Sequence, residues 1–469
     1  MPGAGELHYA EARNQPPPMN IQRLLLTLLL LGGITAPAQA KDWRPATQPN
    51  ILVIFSDDQG QHDVGCFGSE IPTPNIDRIA KNGVKLTDFY VAAPVCTPSR
   101  FGLLTGTYPN RSQDNLLGAL MFLEGRDKHR GIRPQETTIA EVLREAGYRT
   151  GLIGKWHLGH GAPEFLPHHH GFDYAFGSTG GCNDYFTTHY GITPDWYRNG
   201  ERIVPPGYVT DILTDEAVHF IKRPSKQPFF LYLTYTAPHF AKGWDPINNV
   251  TTNSMQSKVE HLKRFPEIKD PLRREFAGMV AALDDGIGKV MKALRASGQE
   301  ENTLVIFVTD NGGDPKYGGS NEPFRGVKNT VYEGGVRVPC VMQWPGHIPP
   351  GTVSSQPLTT LDFFPTFCEV AGVSTSGRRL DGMNFLPAVV EGKNYTRELF
   401  WRMLTGDALR SGDWKYLQIG KETMLFNLAK DPYEQNNLAT KEPGKLAELQ
   451  AAHAKIVSSF SPRIETSSE

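Results

Sequence analysis

Four apolar runs in this chain share one format, and that format constrains the fold more than any other feature. Ile51-Leu-Val-Ile-Phe55 is followed by Ser56-Asp57-Asp58, and Leu304-Val-Ile-Phe-Val308 by Thr309-Asp310-Asn311. Phe229-Phe-Leu-Tyr-Leu-Thr-Tyr235 leads into Ala237-Pro238-His239, and the shorter Thr150-Gly-Leu-Ile153 into Gly154-Lys155-Trp156-His157. An uninterrupted apolar strand has no polar face to offer water, so it fits a parallel sheet covered by helices on both sides. Polar groups just past the C-terminal ends of such strands stand where open α/β sheets bind ligands.

Helical periodicity falls between these runs. Phe276, Met279, Val280, Leu283, Ile287, Val290, Met291 and Leu294 recur at three- and four-residue spacing, which predicts an amphipathic helix. Thr137 or Thr138, with Glu141 following and Gly147 at the far end, predicts a shorter capped one. Strands alternating with helices predict an α/β domain with a mostly parallel sheet, assigned here to residues 41–380. Residues 381–469 have a different character. Leu399–Met403, Trp414–Ile419 and Met424–Leu428 read as short strands between turns, and Glu442 to Phe460 as a closing helix. A small antiparallel sheet plus one helix is therefore expected after the main domain.

At the other end, Arg23 precedes the apolar segment 24–31, and Ala38-Gln39-Ala40 closes it, the pattern of a secretory signal peptide over residues 1–40. Met19 offers a better start for its basic segment than Met1 does. The stretch falls short of the roughly 20 apolar residues that span a bilayer. The expectation is an exported protein, periplasmic or secreted, with no stable membrane insertion. With 48 basic and 50 acidic side chains, the chain lacks the basic excess of a nucleic-acid binder. Its five cysteines are too few for a disulfide scaffold, and the odd number leaves one thiol over.

One of those thiols sits in a distinctive setting. In Cys96-Thr97-Pro98-Ser99-Arg100, Pro98 suits a first helical position with Thr97 as its cap. Cys96 would then lie at a helix N-terminus, where the backbone dipole favours an anion. Arg100 would follow one turn later on the same side. Spacing alone also allows a buried cysteine beside a surface arginine.

Cys96-x-Pro98-Ser99-Arg100, continued by Leu103, Thr105 and Gly106, resembles the signature of the type I sulfatases in the alkaline phosphatase superfamily. Asp57-Asp58-Gln59-Gly60, Gly154-Lys155-Trp156-His157-Leu158-Gly159, Ala237-Pro238-His239 and Thr309-Asp310-Asn311-Gly312 resemble further segments of that family. So do Arg325-Gly326-Val327-Lys328, Glu333-Gly334-Gly335-Val336-Arg337-Val338-Pro339, Arg410 to Lys415, and Leu425 to Leu438. The resemblance runs from about Pro49 to Ala439 and implies a large, mostly parallel sheet sandwiched by helices.

It also implies a chemistry. Cys96 would be oxidised by a formylglycine-generating enzyme, and the formylglycine hydrate would be the nucleophile. Asp57, Asp58, Asp310 and Asn311 offer only oxygen from two strand ends, which suits one hard cation such as Ca²⁺. By resemblance, an oxygen of the group derived from Cys96 completes that shell. Arg100, Lys155, His157, His239 and Lys328 match positions lining the family's sulfate pocket. The implied roles give Arg100 the hydrate and the metal-side anion, and Lys155 the sulfate and nucleophile. His157 takes a proton when the sulfated hydrate collapses, while His239 and Lys328 face the leaving oxygen, with His239 as general acid.

Asn183, Asp184 and Tyr185 are expected to hydrogen-bond sugar hydroxyls, and the loop Pro167-His168-His169-His170 to form a substrate rim. The reading is a calcium-dependent sulfatase acting on O-sulfate esters of sulfated carbohydrates or aryl sulfates. The alternatives are a phosphatase or phosphodiesterase of the same superfamily, and an inactive glycan-binding homologue. Conversion of Cys96 would leave Cys66, Cys182, Cys340 and Cys368 to pair or to stay reduced.

Overall fold

The computed structural model describes residues 47–460 except 123 and 124, so the expected signal peptide lies outside the described residues. A ten-stranded sheet forms the centre. In chain order its strands are β1 (Asn50–Ser56), β2 (Val84–Leu86), β3 (Arg149–Gly154), β4 (Tyr174–Gly177) and β5 (Tyr197–Arg198). β6 (Glu201–Arg202), β7 (Phe229–Thr234), β8 (Thr303–Thr309), β9 (Cys340–Gln343) and β10 (Thr352–Ser354) complete it. Across the sheet they run β10-β2-β9-β8-β1-β7-β3-β4-β5-β6. The middle five, β8 to β4, are parallel. Antiparallel pairing begins at β9 on one side and β5 on the other.

Every residue of β1, β7 and β8 is buried, which is why their sequences do not alternate. Leu52, Ile54, Leu231, Leu233, Val305 and Phe307 face a core shared with helices α1 (Pro74–Lys81), α4 (Val209–Lys222) and α5 (Pro271–Ala296). On the other face α3 (Ile139–Glu145) packs against α6 (Phe363–Ala371), whose Phe367 meets the Phe230 ring at 6.0 Å. The eight periodic apolar residues of α5 are all buried. At roughly 1.5–3 kcal/mol for each large side chain, docking on the sheet outweighs any helix propensity. α3 begins at Thr138, whose hydroxyl accepts from Glu141 N in a capping box.

Two local readings are corrected. Helix α2 (Cys96–Thr105) starts at Cys96 itself, with Val95 at the cap position and no side-chain cap. Thr97 is not the cap, because its hydroxyl donates to the His157 carbonyl at 3.0 Å and accepts from Leu120 N at 3.1 Å. The C-terminal sheet has four antiparallel strands rather than three: β11 (Glu398–Met403), β12 (Gly406–Ser411), β13 (Trp414–Ile419) and β14 (Glu422–Asn427). β12 escapes an apolar-run search because Asp407 and Arg410 interrupt it. Arg410 is nonetheless buried, paired with Asp88 at 2.9 Å and bonded to the Tyr90 hydroxyl. Helix α7 (Pro443–Ser458) closes over this sheet, with Leu449 against Phe400, Leu409, Tyr416 and Leu425.

Lys415 of β13 reaches out of this sheet between two carboxylates, Glu333 at 2.7 Å and Glu434 at 2.9 Å, and all three side chains are fully buried. All five cysteines are free thiols. Among the described residues no helix is long and apolar enough to cross a membrane.

Candidate active site

Register brings four strand ends level. Ser56 of β1 pairs with Thr309 of β8, Phe55 with Thr234 of β7, and Thr234 with Gly154 of β3. The next residues along each strand, Asp57-Asp58, Asp310-Asn311, Tyr235 to His239 and Lys155 to His157, therefore arrive at one edge of the sheet. Backbone bonds extend the ladder past the strands, from Asp310 N to Ser56 O (3.2 Å) and from Lys155 N to Thr234 O (2.9 Å). Gly154 makes this possible. Its φ is 123°, and a Cβ there would stand 1.8 Å from the Thr234 carbonyl oxygen, so any side chain would drive β3 off β7 beside Lys155.

Helix α2 brings Cys96 and Arg100 to the same edge. The Cys96 Sγ lies 3.7 Å from Asp57 Oδ1. Asp57 Oδ2 receives Lys155 Nζ at 2.5 Å and Arg100 Nη2 at 3.1 Å. Arg100 Nη2 also reaches Asp310 Oδ2 at 2.9 Å, and Nη1 donates to the Lys155 carbonyl at 3.0 Å. Asp58 is held from another side. Lys328 Nζ contacts its two carboxylate oxygens at 2.6 and 2.7 Å, Asn311 Nδ2 donates at 2.7 Å, and His239 Nε2 stands 3.5 Å away. Asp58 and His157 adopt left-handed φ values of 60° and 56°. Such backbone costs about 1–3 kcal/mol and persists where surrounding structure imposes it, typically at functional sites.

Electrostatics sort these groups by charge. Burial holds the Cys96 thiol well above its ordinary range, despite the cations Lys155 and Lys328 nearby. The encoded thiol is therefore neutral and a poor nucleophile. Burial, followed by the neighbouring Asp57 charge, pushes the Asp310 carboxyl up to about 6, with Arg100 only partly offsetting this. For Asp58, burial is overcome by the Lys328 ammonium, which holds the carboxyl well below the usual range. Burial lowers His239 to about 3 and, with the Lys155 charge, carries His157 well below its ordinary value.

Carbonyl neighbours set both neutral tautomers, since a carbonyl can only accept. His239 Nδ1 donates to Phe240 O at 2.8 Å, and His157 Nε2 donates to Leu120 O at 2.9 Å. His239 Nε2 and His157 Nδ1 are left as the proton-accepting nitrogens, the latter buried without a hydrogen-bond partner.

Asp57, Asp58, Cys96 and His239 present ligand atoms within 4.8 Å of one another. Asp310 and Asn311 adjoin them through Asp58, whose N–H donates to Asp310 Oδ1 at 3.2 Å. The buried Asn311 Oδ1 has no hydrogen-bond partner, an arrangement that costs roughly 1–3 kcal/mol. An oxygen-seeking cation would relieve it, so the carboxylate and amide oxygens fit calcium. His239 was not expected among the potential ligands.

The 183–185 segment behaves differently from expectation. Tyr185 is fully buried, and its hydroxyl donates to the His239 carbonyl at 2.9 Å, which makes it a strut beneath that histidine. Asp184 accepts from Phe186 N and Thr187 N at 2.9 Å each and from Gln256 Nε2 at 2.6 Å, so it organises its own loop. Asn183 keeps a buried Oδ1 without a partner. In the histidine triplet, His170 is buried against Trp156 and bonded to Glu164 O at 2.9 Å. Thr97 and Gly154, which orient His157 and Lys155, carried no chemical signal in the sequence.

The Sulfatase family profile matches residues 49–373, and the profile described as N-sulphoglucosamine sulphohydrolase, C-terminal, matches residues 326–458. N-acetylgalactosamine-6-sulfatase of Mus musculus is 34% identical over 402 residues, covering 81% of this chain and 72% of that protein. Arylsulfatase A of Bos taurus is 34% identical over 467 residues, covering 90% and 84%. The crystal structure of Ps i-CgsB in complex with k-i-k-neocarrahexaose matches with a TM-score of 0.81 and 35% identity, over 88% of this chain and 94% of that one. The PsFucS1 sulfatase from Pseudoalteromonas sp. matches with a TM-score of 0.72 and 26% identity, over 88% and 91%. These matches run through the parallel sheet and the C-terminal sheet alike, and the chain accordingly belongs to the type I sulfatase family, as a sulfuric ester hydrolase.

Proposed function

We propose that this sulfatase hydrolyses O-sulfate esters of sulfated sugars or glycans, using one Ca²⁺ and a formylglycine made from Cys96 by a formylglycine-generating enzyme. The observation that carries this reading is the placement of Cys96 against Asp57, where α2 meets the level ends of β1 and β8. The sulfated-sugar class rests on the relatives: an N-acetylgalactosamine-6-sulfatase and a neocarrahexaose complex.

Charge supports it further. Three buried carboxylates, Asp57, Asp58 and Asp310, face three cations, the buried Arg100 and Lys155 and the partly exposed Lys328. A dication added to this balanced set leaves a positive pocket for an anionic ester. Asp57, Asp58, Asp310 and Asn311 would hold the calcium, with an oxygen of the modified residue 96; when bound, it would draw charge from the sulfate. Arg100 bridges Asp57 and Asp310 and holds both carboxylates in place. Lys155 lies between Asp57 and the sulfate, neutralising charge on both. His157 Nδ1 would accept the proton released when the modified residue 96 returns to its aldehyde, with inorganic sulfate as the leaving group. His239 and Lys328 attend the ester oxygen, and His239 becomes the proton donor to the departing sugar once the bound anionic ester has drawn a proton onto its Nε2. Asn183 offers its amide to sugar hydroxyls, while Asp184 and Tyr185 serve that contact by shaping the loop. The domain division at residue 380 and export through residues 1–40 belong to the same proposal.

A phosphatase of the superfamily is the competing activity. The wild-type protein should turn over p-nitrophenyl sulfate faster than p-nitrophenyl phosphate, and predominant phosphate hydrolysis would overturn the reading. Chelation with EGTA should abolish activity and lower the melting temperature, and calcium should restore both. Saturation at 100 times Kd adds about 2.7 kcal/mol of stability. Magnesium should restore less, because it demands a tighter octahedral shell. If EGTA changes neither activity nor melting, the calcium assignment fails.

A further inference from the structure

We propose that Lys242 is a specificity residue, forming an outer subsite that takes a second anionic group carried by the substrate, on the sugar adjoining the one being desulfated. This rests on the sulfated-sugar reading above and deepens it.

The placement comes from two sides of the catalytic edge. Lys242 follows His239 by three residues, on the strand Ala241–Asp245. Its carbonyl accepts from Gly191 N at 3.0 Å, which ties this strand to the loop carrying Tyr190. The Lys242 ammonium stands 5.7 Å from the centre of the Tyr190 ring. Tyr190 in turn stacks on Phe122 at 4.5 Å. Phe122 lies two residues beyond Leu120, whose carbonyl receives His157 Nε2 at 2.9 Å. The chain segments holding His239 and His157 thus meet at the Tyr190–Lys242 pair.

Lys242 differs from the inner cations in its partners. Arg100, Lys155 and Lys328 are each matched to buried carboxylates. Lys242 is half-buried, and among the described residues its ammonium has the Tyr190 ring and no carboxylate in ion-pair range. Its charge is nevertheless felt at the buried Cys182 thiol, together with those of Lys155 and Lys328. Cys182 precedes Asn183, whose buried Oδ1 has no hydrogen-bond partner. An ammonium held over an aromatic ring, with no carboxylate to neutralise it, suits the anionic group of a sulfated or carboxylated sugar. Lys242 is thus a cation outside the inner charge set, left available to a second negative charge on the substrate.

The experiment compares two disaccharides, one sulfated on both sugars and one lacking the second sulfate, using wild type, Lys242→Gln and Lys242→Arg. In wild type the disulfated substrate should have the higher kcat/KM. In Lys242→Gln that ratio should fall about 5- to 10-fold, through KM rather than kcat, as expected for a rim charge that binds ground and transition states alike. Lys242→Arg should keep the preference, and added salt should erode it in wild type more than in Lys242→Gln. A ratio that Lys242→Gln does not move, or a loss that falls equally on both substrates, would overturn the subsite. Wild-type failure on both disaccharides, with p-nitrophenyl sulfate still cleaved, would instead strike the sulfated-sugar reading.

Discussion

Replacing Cys96 with alanine should lower turnover of p-nitrophenyl sulfate by at least about 10⁴-fold, the scale seen when an enzyme loses its covalent nucleophile. The fold should survive, since residue 96 contributes one small buried side chain and α2 takes its cap from the backbone of Val95. Because burial keeps the encoded thiol protonated beside Asp57, an unmodified Cys96 should be nearly as inactive as the alanine variant. Peptide mass spectrometry across residue 96 separates the two forms. Conversion of cysteine to formylglycine removes about 18 Da, and activity should scale with the converted fraction. Retention of more than about 1% of wild-type turnover by Cys96→Ala would show that the nucleophile lies elsewhere.

The second large effect concerns stability rather than chemistry. Lys415→Met should destabilise the protein by about 3–5 kcal/mol, because it strips the shared counter-ion from two fully buried carboxylates, Glu333 and Glu434. The loss should depend on pH. Burial, partly offset by Lys415 but reinforced by Glu333, already raises the Glu434 carboxyl to about 7. A carboxyl raised on folding takes up a proton in the native state, so it costs stability increasingly as pH rises from its unfolded value toward its folded one. Without Lys415 that cost grows, and the variant should suffer more at pH 8 than at pH 5. Denaturant titrations at the two pH values measure this directly. Adding Glu333→Gln and Glu434→Gln to Lys415→Met should recover part of the loss, and no recovery would point to packing instead of charge.

Activity should fall with it, because Glu434 accepts Arg325 Nη1 on its carbonyl at 3.0 Å and the Arg325 carbonyl accepts Gly334 N at 2.7 Å. The C-terminal sheet thereby buttresses the loop that presents Lys328.

Much of the candidate site is legible in the sequence. An apolar run such as Ile51–Phe55 declares itself a buried strand, and the residue after the strand is fixed by the covalent chain. Asp57, Asp58, Asp310, Asn311, Lys155 and His239 could therefore all be placed at strand ends, and the motif around Cys96 connected them to one chemistry. What failed was reasoning from residue type inside loops. Tyr185 reads as a sugar ligand because it is a tyrosine near the site, yet its hydroxyl is spent on the His239 carbonyl. Thr97 reads as a helix cap because threonine commonly caps, yet its hydroxyl joins His157 to Leu120. Neither partner is near in sequence, and polar side chains in loops take whichever partner the fold delivers.

By itself, then, the sequence determined the parallel sheet, the family and the order of chemical groups along the chain, because each depends on local apolarity, on covalent succession or on an unbroken motif. Tertiary structure alone decided which strand ends stand level, which cation answers which carboxylate, and that Lys415 of the C-terminal sheet neutralises Glu333 and Glu434. Those outcomes turn on register and on pairs such as Lys328 with Asp58, 270 residues apart, where burial makes the geometry of the match, and not the identity of either residue, the source of the energy.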